Sequence, residues 1–194
     1  MRPQNPFTWA SGWKSPIYCD NRITLSFPAV RTYIRQELCS AILANFDKPD
    51  VIAGVATGGV PQGVLVAQEL GIPFIYIRSA SKEHGMGNLI EGLYEEGQKV
   101  VVIEDLISTG GSSLKAVESL REAGLIVKGL ACIFTYGFSL AERNFEKAEC
   151  PYITLTDYSV LIDQALSANY INEEDLVELR KWKENPAKWN SPVK

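Results

Sequence analysis

The sequence predicts an α/β fold in which a five-stranded, mainly parallel sheet is flanked by helices. Short apolar runs of strand length alternate along the chain with segments whose apolar residues have helical spacing. The apolar runs are continuous rather than alternating, which is typical of parallel strands that are buried on both faces. The chain has 194 residues, of which 46% are hydrophobic, so residues 1–194 are expected to form a single domain with one core.

The elements are predicted in the following order. Residues 1–27 contain several prolines and scattered aromatic residues, and they predict a loop-rich segment. A helix follows from Pro28 to Phe46, and its apolar face is predicted to carry Val30, Ile34, Leu38, Ile42 and Leu43. The five strands are predicted at residues 50–56, 73–78, 99–105, 127–136 and 152–155. Further helices are predicted at residues 60–71, 112–124, 139–148 and from an N-cap at Asn172 to Lys183.

Charge and cysteine content limit the classes of partner. A net charge of −4 argues against a broad nucleic-acid or membrane surface, because these partners select a basic face. The longest apolar stretch, residues 129–138, is too short to span a bilayer, and the first residues lack the apolar core of a signal peptide. The four cysteines fit no metal-binding spacing, and Cys39 and Cys132 lie in apolar segments typical of reduced core thiols. We therefore expect a cytoplasmic protein.

The strongest functional signal is VVVIEDLISTGGSSL, at residues 100–114. Here an apolar strand ends in Glu104 and Asp105, and a loop of small and hydroxyl residues leads into a helix. The backbone N–H groups of such a loop, aided by the helix dipole, form a cup for a phosphate group. The sequence contains neither the GxxxxGK[ST] string of a P-loop nor the GxGxxG string of a dinucleotide site.

The two acids beside this loop indicate a ligand that carries more than a phosphate. Carboxylates repel a phosphate alone, but they accept hydrogen bonds from vicinal hydroxyls, so a ribose 5-phosphate fits both features. The same acids could also offset positive charge that develops on the ribose ring, or hold the water shell of a Mg²⁺ ion. A purely structural alternative is that Glu104 and Asp105 cap the helix or solvate the strand end.

VVVIEDLISTGGSSL resembles the signature that binds phosphoribosyl pyrophosphate in type I phosphoribosyltransferases. The resemblance implies the fold of that superfamily, with a small hood formed by residues 1–27. It also implies Mg²⁺ as cofactor, with no side chain assigned as a metal ligand. In this segment, the residues that it assigns to the donor are Glu104, Asp105, Leu106, Ile107, Ser108, Thr109, Gly110, Gly111 and Ser112.

Two further segments indicate the substrate. IRSASKEHGMGNLIEG, at residues 77–92, resembles the flexible catalytic loop of orotate phosphoribosyltransferases, which is expected within residues 79–98. The residues that match the loop pattern are Arg78, Lys82, His84 and Gly85. FTWASGWKSPIYCDNR, at residues 7–22, resembles the orotate-side segment of one bacterial branch of that family.

The sequence also departs from the family pattern. Lysines that are common in the family are replaced by Ala10, Gly58 and Ser79. Arg22 and Lys14 are candidate substitutes for these cations.

The family resemblance implies a reaction in which phosphoribosyl pyrophosphate and orotate give orotidine 5′-phosphate and pyrophosphate. Lys82 and His84 would balance charge on the departing pyrophosphate and, with Arg78, bind the donor, while Glu104 and Asp105 would stabilise the ribose ring. Ser108 is expected to contact orotate. The family also implies a homodimer in which loop 79–92 completes the active site of the neighbouring subunit.

Two alternatives remain at this stage. A phosphoribosyltransferase that acts on a purine base would share residues 100–114, but it should lack KEHGMGN and SPIYCDNR. A regulator that senses phosphoribosyl pyrophosphate and binds nucleic acid would need a basic face or a helix-turn-helix extension, and the chain is acidic.

Overall fold

The computed structural model describes residues 1, 5–9, 12–79 and 89–189. The chain divides into two compact units, one formed by residues 21–156 and the other by residues 1–20 with residues 157–194. In chain order the elements are β1 (Phe7–Thr8), β2 (Lys14–Ser15), a 3₁₀ helix (Asn21–Ser26), α1 (Pro28–Phe46), β3 (Val51–Val55), α2 (Gly59–Leu70), β4 (Phe74–Ile77), β5 (Ile90–Glu91), β6 (Lys99–Ile107), α3 (Gly111–Glu122), β7 (Ile126–Thr135), α4 (Ser139–Lys147), β8 (Tyr152–Asp157), α5 (Tyr158–Ser167) and α6 (Glu173–Glu184).

The main sheet has the strand order β5-β4-β3-β6-β7-β8. Strand β3 pairs in parallel with β4 and β6, and β6 pairs in parallel with β7. The predicted fold class, a mainly parallel sheet flanked by helices, is therefore confirmed. The strand number is six rather than five, because Ile90 and Glu91 pair antiparallel with the end of β4. A strand of two residues carries no apolar pattern, so this edge pairing could not be read from the sequence.

Strand β6 is longer than predicted. Its pairing with β7 continues through Leu106, opposite Phe134, and Ile107, opposite Thr135. Both residues were expected in the loop after Asp105. The strand continues because β7 extends equally far and supplies backbone partners. Glu104 and Asp105 therefore lie within a hydrogen-bonded strand, and the loop begins only at Ser108.

Helices cover both faces of this sheet and form two apolar clusters. Helices α1 and α2 cover one face, where Leu38 and Ile42 pack with Ile52 and Ile103 of the sheet. Helices α3 and α4 cover the other face, where Leu120 and Phe145 are among the fully buried residues. This two-sided burial explains the continuous apolar runs of β3 and β6.

The apolar face of α1 differs in part from the prediction. Ile34, Leu38 and Ile42 are buried as expected, but Val30 is 44% exposed and Leu43 is 46% exposed. Successive helical residues turn by about 100°, so both residues lie on the flanks of the stripe centred between Leu38 and Ile42. Cys39 and Phe46 fill the buried face instead.

The second unit is organised around the indole of Trp182, which is fully buried. The Trp182 ring packs edge-on against Trp9, with a centroid distance of 5.5 Å, and against Tyr158 at 5.2 Å. Its Nε1–H donates to the backbone oxygen of Lys14 at 3.0 Å. Helix α6 begins after Asn172, whose side chain accepts from the Asp175 N–H, as the sequence predicted.

Among the described residues, no helix combines the length and the apolar character that crossing a bilayer requires.

Two leucines of α1 test the observed orientation of this helix. Leu38→Ala should lower the free energy of unfolding by about 2–5 kcal/mol, because it leaves a cavity in a fully buried cluster. Leu43→Ala, on the same helix, should change it by less than about 1 kcal/mol. Urea unfolding followed by circular dichroism measures both values. Equal losses in the two variants would contradict the orientation described.

Candidate functional site

Two turns meet at the carboxyl end of β6. One is the predicted anion loop, which leads from β6 into α3. The other is the glycine turn that leads from β3 into α2, in which the Ala56–Thr57 peptide bond is cis. A Cβ added to Gly59 would overlap the backbone oxygen of Ile103 and lie 3.2 Å from the Glu104 Cα, and a Cβ on Gly58 would overlap the Asp105 carboxylate. Only glycine permits so close an approach. The backbone of this turn therefore lies directly against the acidic end of β6.

Glu104 is a buried acid with both carboxylate oxygens engaged. The residue is 5% exposed. Its Oε2 accepts a hydrogen bond from the Ser113 hydroxyl at 3.0 Å, and its Oε1 accepts from the Asp105 N–H at 3.1 Å. Burial, followed by the nearby Asp105 carboxyl group, raises the pKa of Glu104 to about 8. The hydrogen bonds from the Asp105 N–H and from Ser113 act in the opposite direction, because they stabilise the ionised form.

Asp105 faces the other way and is only half-buried. Successive side chains of a strand point to opposite faces, so Glu104 meets α3 and Asp105 meets the glycine turn before α2. The backbone oxygen of Asp105 accepts from the Asn21 side-chain amide at 2.6 Å, which ties the strand end to the 3₁₀ helix. Asp105 is thus the member of the pair that borders the open side of the site.

The predicted anion loop is short, and a side chain of α4 forms a hydrogen bond with it. It comprises Ser108, Thr109 and Gly110, and α3 begins at Gly111. The Asn144 side-chain amide donates to the Thr109 backbone oxygen at 2.9 Å. Gly110 has a φ of +80°, and a Cβ at this position would lie 2.7 Å from the Phe145 ring. Because the N-cap residue is Gly110, no N-cap side chain occupies the N–H groups of the first turn of α3.

This arrangement can bind an anion next to hydroxyl groups. The first turn of α3 presents N–H groups and the positive end of a 12-residue helix. The Asp105 carboxylate lies at the glycine turn on the other face of β6, and it can accept hydrogen bonds from hydroxyls. The structure places Glu104, Asp105 and residues 106–112 at the end of β6 and the start of α3, and their binding of the donor stays a prediction.

Arg78 lies at the end of β4, before the segment predicted to be the catalytic loop. Its backbone N–H donates to Leu89 O at 2.9 Å, and its guanidinium group lies 3.6 Å from the Glu91 carboxylate. These contacts hold Leu89 and Glu91, which lie within the predicted loop 79–98, against the end of β4. Lys82 and His84, together with Gly85, lie outside the described residues.

The candidate substitute cations lie on two different elements. Lys14 belongs to β2, where its Nζ donates to the Thr8 hydroxyl at 2.8 Å. Arg22 is an exposed residue of the 3₁₀ helix that begins with Asn21.

Three polar residues of the site were missed by the sequence reasoning: Asn21, Ser113 and Asn144. Asn21 and Asn144 contact residues 84 and 35 positions away, so no local pattern reveals their partners. Asn21 lies in residues 7–22, and the resemblance of this segment to orotate phosphoribosyltransferases is the signal that could have found it. Ser113 was noted only as a hydroxyl of the anion loop, whereas its side chain points to Glu104.

A resident metal centre was also sought. Within residues 12–79 and 89–189 and the described N-terminal residues, no group of three or more His, Cys, Asp or Glu side chains could hold a metal ion.

Comparisons with known proteins give a consistent family. A sequence profile of the phosphoribosyl transferase domain matches residues 28–164. The orotate phosphoribosyltransferase of Bacteroides fragilis is 54% identical over 191 residues, which cover 98% of this chain and 90% of that protein. That of Listeria innocua is 55% identical over 189 residues, or 97% of this chain and 90% of the relative. The crystal structure of the orotate phosphoribosyltransferase from Aeropyrum pernix is similar with a TM-score of 0.77 at 25% identity, covering 87% of this chain and 92% of that one.

Two adjacent glycines test the conformation of the anion loop. Gly110→Ala should destabilise the protein by about 1–2 kcal/mol or more, because its backbone is left-handed and the new methyl group meets the Phe145 ring. Gly111→Ala should be neutral or slightly stabilising, because its Cβ would find only the Thr109 hydroxyl, at 3.9 Å, and alanine favours a helix. Thermal unfolding compares the two variants. If their melting temperatures are the same, the loop conformation is wrong.

Proposed function

Because this chain belongs to the orotate phosphoribosyltransferase family, we propose that it transfers the 5-phosphoribosyl group of phosphoribosyl pyrophosphate to orotate. The products are orotidine 5′-phosphate and pyrophosphate, in the biosynthesis of UMP. The observation that carries the proposal is the meeting of an acidic strand end with two glycine-containing turns in one site. A sugar that bears a phosphate, a diol and a pyrophosphate needs all three features.

Each part of the donor has a proposed partner. The 5-phosphate binds the loop and the first turn of α3, at Ser108, Thr109, Gly110, Gly111 and Ser112, with Leu106 and Ile107 shaping the strand end. The ribose diol lies along Glu104 and Asp105. The pyrophosphate lies against the turn at Gly58 and Gly59, where the absence of side chains lets the backbone approach the ligand.

The proposed chemistry is a displacement at the anomeric carbon of the ribose. The bond from this carbon to pyrophosphate breaks, the pyrophosphate leaves with the bonding electrons, and a ring nitrogen of orotate forms the new bond. Positive charge develops on the ribose during this exchange, and the carboxylates at the end of β6 stabilise it. Orotate needs no strong base because its ring nitrogen is already acidic, and Ser108 is the proposed contact for orotate.

The proposed catalytic loop supplies positive charge for the leaving group. Arg78, Lys82 and His84 would neutralise the pyrophosphate as it forms, and His84 can donate a proton to it. Closure over the site of the part of loop 79–98 that precedes Leu89 would exclude water, which would otherwise hydrolyse the activated ribose. The contact between Arg78 and Glu91 supports this assignment, because it anchors the chain before and after this part to the sheet.

Magnesium is proposed to enter as part of the substrate. Mg²⁺ keeps several water ligands and is commonly held by phosphate oxygens. A donor that carries the ion on its own pyrophosphate requires no dedicated cage of protein ligands. The absence of a three-residue metal cluster among the described residues is compatible with such a substrate complex.

Cellular location and assembly are proposed on chemical grounds. All four cysteines are free thiols, which is typical of the reducing cytoplasm. We propose a homodimer in which loop 79–92 of one subunit completes the active site of the other.

The loop assignment is tested with Lys82→Ala and His84→Ala. Each should reduce kcat by about 10²-fold or more, because charge on the leaving group is no longer balanced. Binding of ribose 5-phosphate, measured by calorimetry, should be largely retained because its partners lie at residues 104–112. The fall in orotate absorbance after addition of phosphoribosyl pyrophosphate and Mg²⁺ measures turnover. Lys147→Ala, an exposed lysine of α4, is the matched control, and normal turnover in both loop variants would refute the assignment.

The sharing of active sites is tested by mixing two inactive variants. A dimer of one Lys82→Ala subunit and one Asp105→Ala subunit has one intact site if the loop acts on its neighbour. An equal mixture after subunit exchange should therefore recover about a quarter of the wild-type activity, because half of the dimers are mixed. A mixture of Lys82→Ala with His84→Ala should recover none. Failure of the first mixture after demonstrated exchange would show that the loop serves its own subunit.

A further inference from the structure

Ser113 is a fully buried serine whose hydroxyl meets a buried acid. It lies in the first turn of α3 and is 1% exposed. Its hydroxyl donates to Glu104 Oε2 at 3.0 Å, and Glu104 is itself 5% exposed. A contact between two such side chains is shielded from solvent, so it is stronger than the same contact at a surface. The residues assigned to the donor end at Ser112, so Ser113 has no role in the proposed function.

This hydrogen bond closes the base of the anion loop. Glu104 lies before the loop and Ser113 lies after it, so the contact joins β6 to α3 across residues 105–112. The second carboxylate oxygen accepts from the Asp105 N–H. The carboxylate is thus fixed at both oxygens, and a change at Ser113 would free one of them.

The surroundings of Glu104 otherwise disfavour its ionised form. On β6, the neighbouring Asp105 carboxyl group raises the pKa of Glu104, in addition to the larger effect of burial. On β7, the residue opposite Glu104 is Cys132, and burial raises the pKa of that thiol as well, so the thiol stays neutral. On α3, Ser113 is the group that hydrogen-bonds to the carboxylate. Among the described residues, no ion pair to a cation is formed by Glu104.

We propose that Ser113 is a positioning residue that orients the Glu104 carboxyl group and favours its ionised form for the phosphoribosyl donor. This inference rests on the proposed function, because it assigns the benefit of the ionised carboxylate to the ribose of the donor. Ser113 does not contact the reacting atoms. It acts through Glu104. Its hydroxyl donates a hydrogen bond that stabilises the ionised carboxylate more than the protonated acid.

The sign of the pH effect follows from this role. Loss of the hydroxyl removes a contact that favours the charged form, so the pKa of Glu104 rises above its value of about 8. In Ser113→Ala the acid limb of kcat/KM should therefore move to higher pH by about one unit. The pH dependence of kcat/KM reports the pKa values of the free enzyme, so this shift reflects Glu104 in the protein without bound donor. Ser113→Thr retains a hydroxyl and should keep the acid limb near that of the wild type.

Thermal unfolding provides a second readout that does not need turnover. The folded-state pKa of Glu104 lies above its ordinary value of 4.5, so the folded protein holds a proton that the unfolded chain releases. The contribution of Glu104 to stability therefore falls as pH rises from about 4.5 to about 8. In Ser113→Ala this fall should extend to higher pH. The melting temperature of this variant should drop relative to the wild type from about pH 7 upward, by an amount that grows with pH up to about pH 9.

The experiment compares the wild type, Ser113→Ala, Ser113→Thr and Ser119→Ala in both measurements. Ser119 lies on the same helix and donates to the Lys115 backbone oxygen, so its variant controls for the loss of a helical serine. Shifted profiles in Ser113→Ala alone support the proposal. A fall in kcat/KM that is equal at every pH, with a melting difference that is independent of pH, would show only a packing role and overturn it. If the wild type does not consume orotate, the proposed function fails, and the unfolding comparison still decides whether Ser113 controls the charge of Glu104.

Discussion

A carboxyl group enclosed in an apolar sheet needs hydrogen-bond donors for its oxygens, and the site depends on how the chain meets this constraint at Glu104. The strand before it, Val100–Ile103, is fully buried, so solvent cannot supply the donors. They come instead from the next backbone N–H and from the first turn of α3. Because the Ser113 hydroxyl must reach Glu104, this hydrogen bond fixes the geometry of the loop between β6 and α3.

The close packing of the glycine turn on β6 gives the acidic pair two different environments. Gly58 and Gly59 leave no side chain between the turn and the strand, so Asp105 borders the turn while Glu104 is enclosed by α3. Asp105 remains half-buried and borders the turn, while Glu104 also links the ligand loop to the core. A phosphorylated sugar fits this combination, because its phosphate needs the helix start and its hydroxyls need acceptors. The similarity to orotate phosphoribosyltransferases over nearly the whole chain agrees with this reasoning.

The predictable features were those that leave a local pattern. Strands buried on both faces gave continuous apolar runs, and the small residues after Glu104 and Asp105 indicated the anion loop. Contacts made by distant residues left no such pattern. Neither the pairing of Ile90 and Glu91 with β4 nor the hydrogen bond from Asn21 to the Asp105 backbone could be read locally. Helical spacing alone does not fix the centre of the apolar face of α1. The burial of Leu38 and the exposure of Leu43 are therefore set by the elements that pack against this helix, which the sequence pattern does not reveal.

A crystal structure of the protein with orotidine 5′-phosphate tests the central claim most directly. The account predicts that the phosphate binds the loop at residues 108–112, and that the ribose hydroxyls face the acidic end of β6 at Glu104 and Asp105. A nucleotide bound at another place, with this pocket free, would contradict the account even if the enzyme consumed orotate.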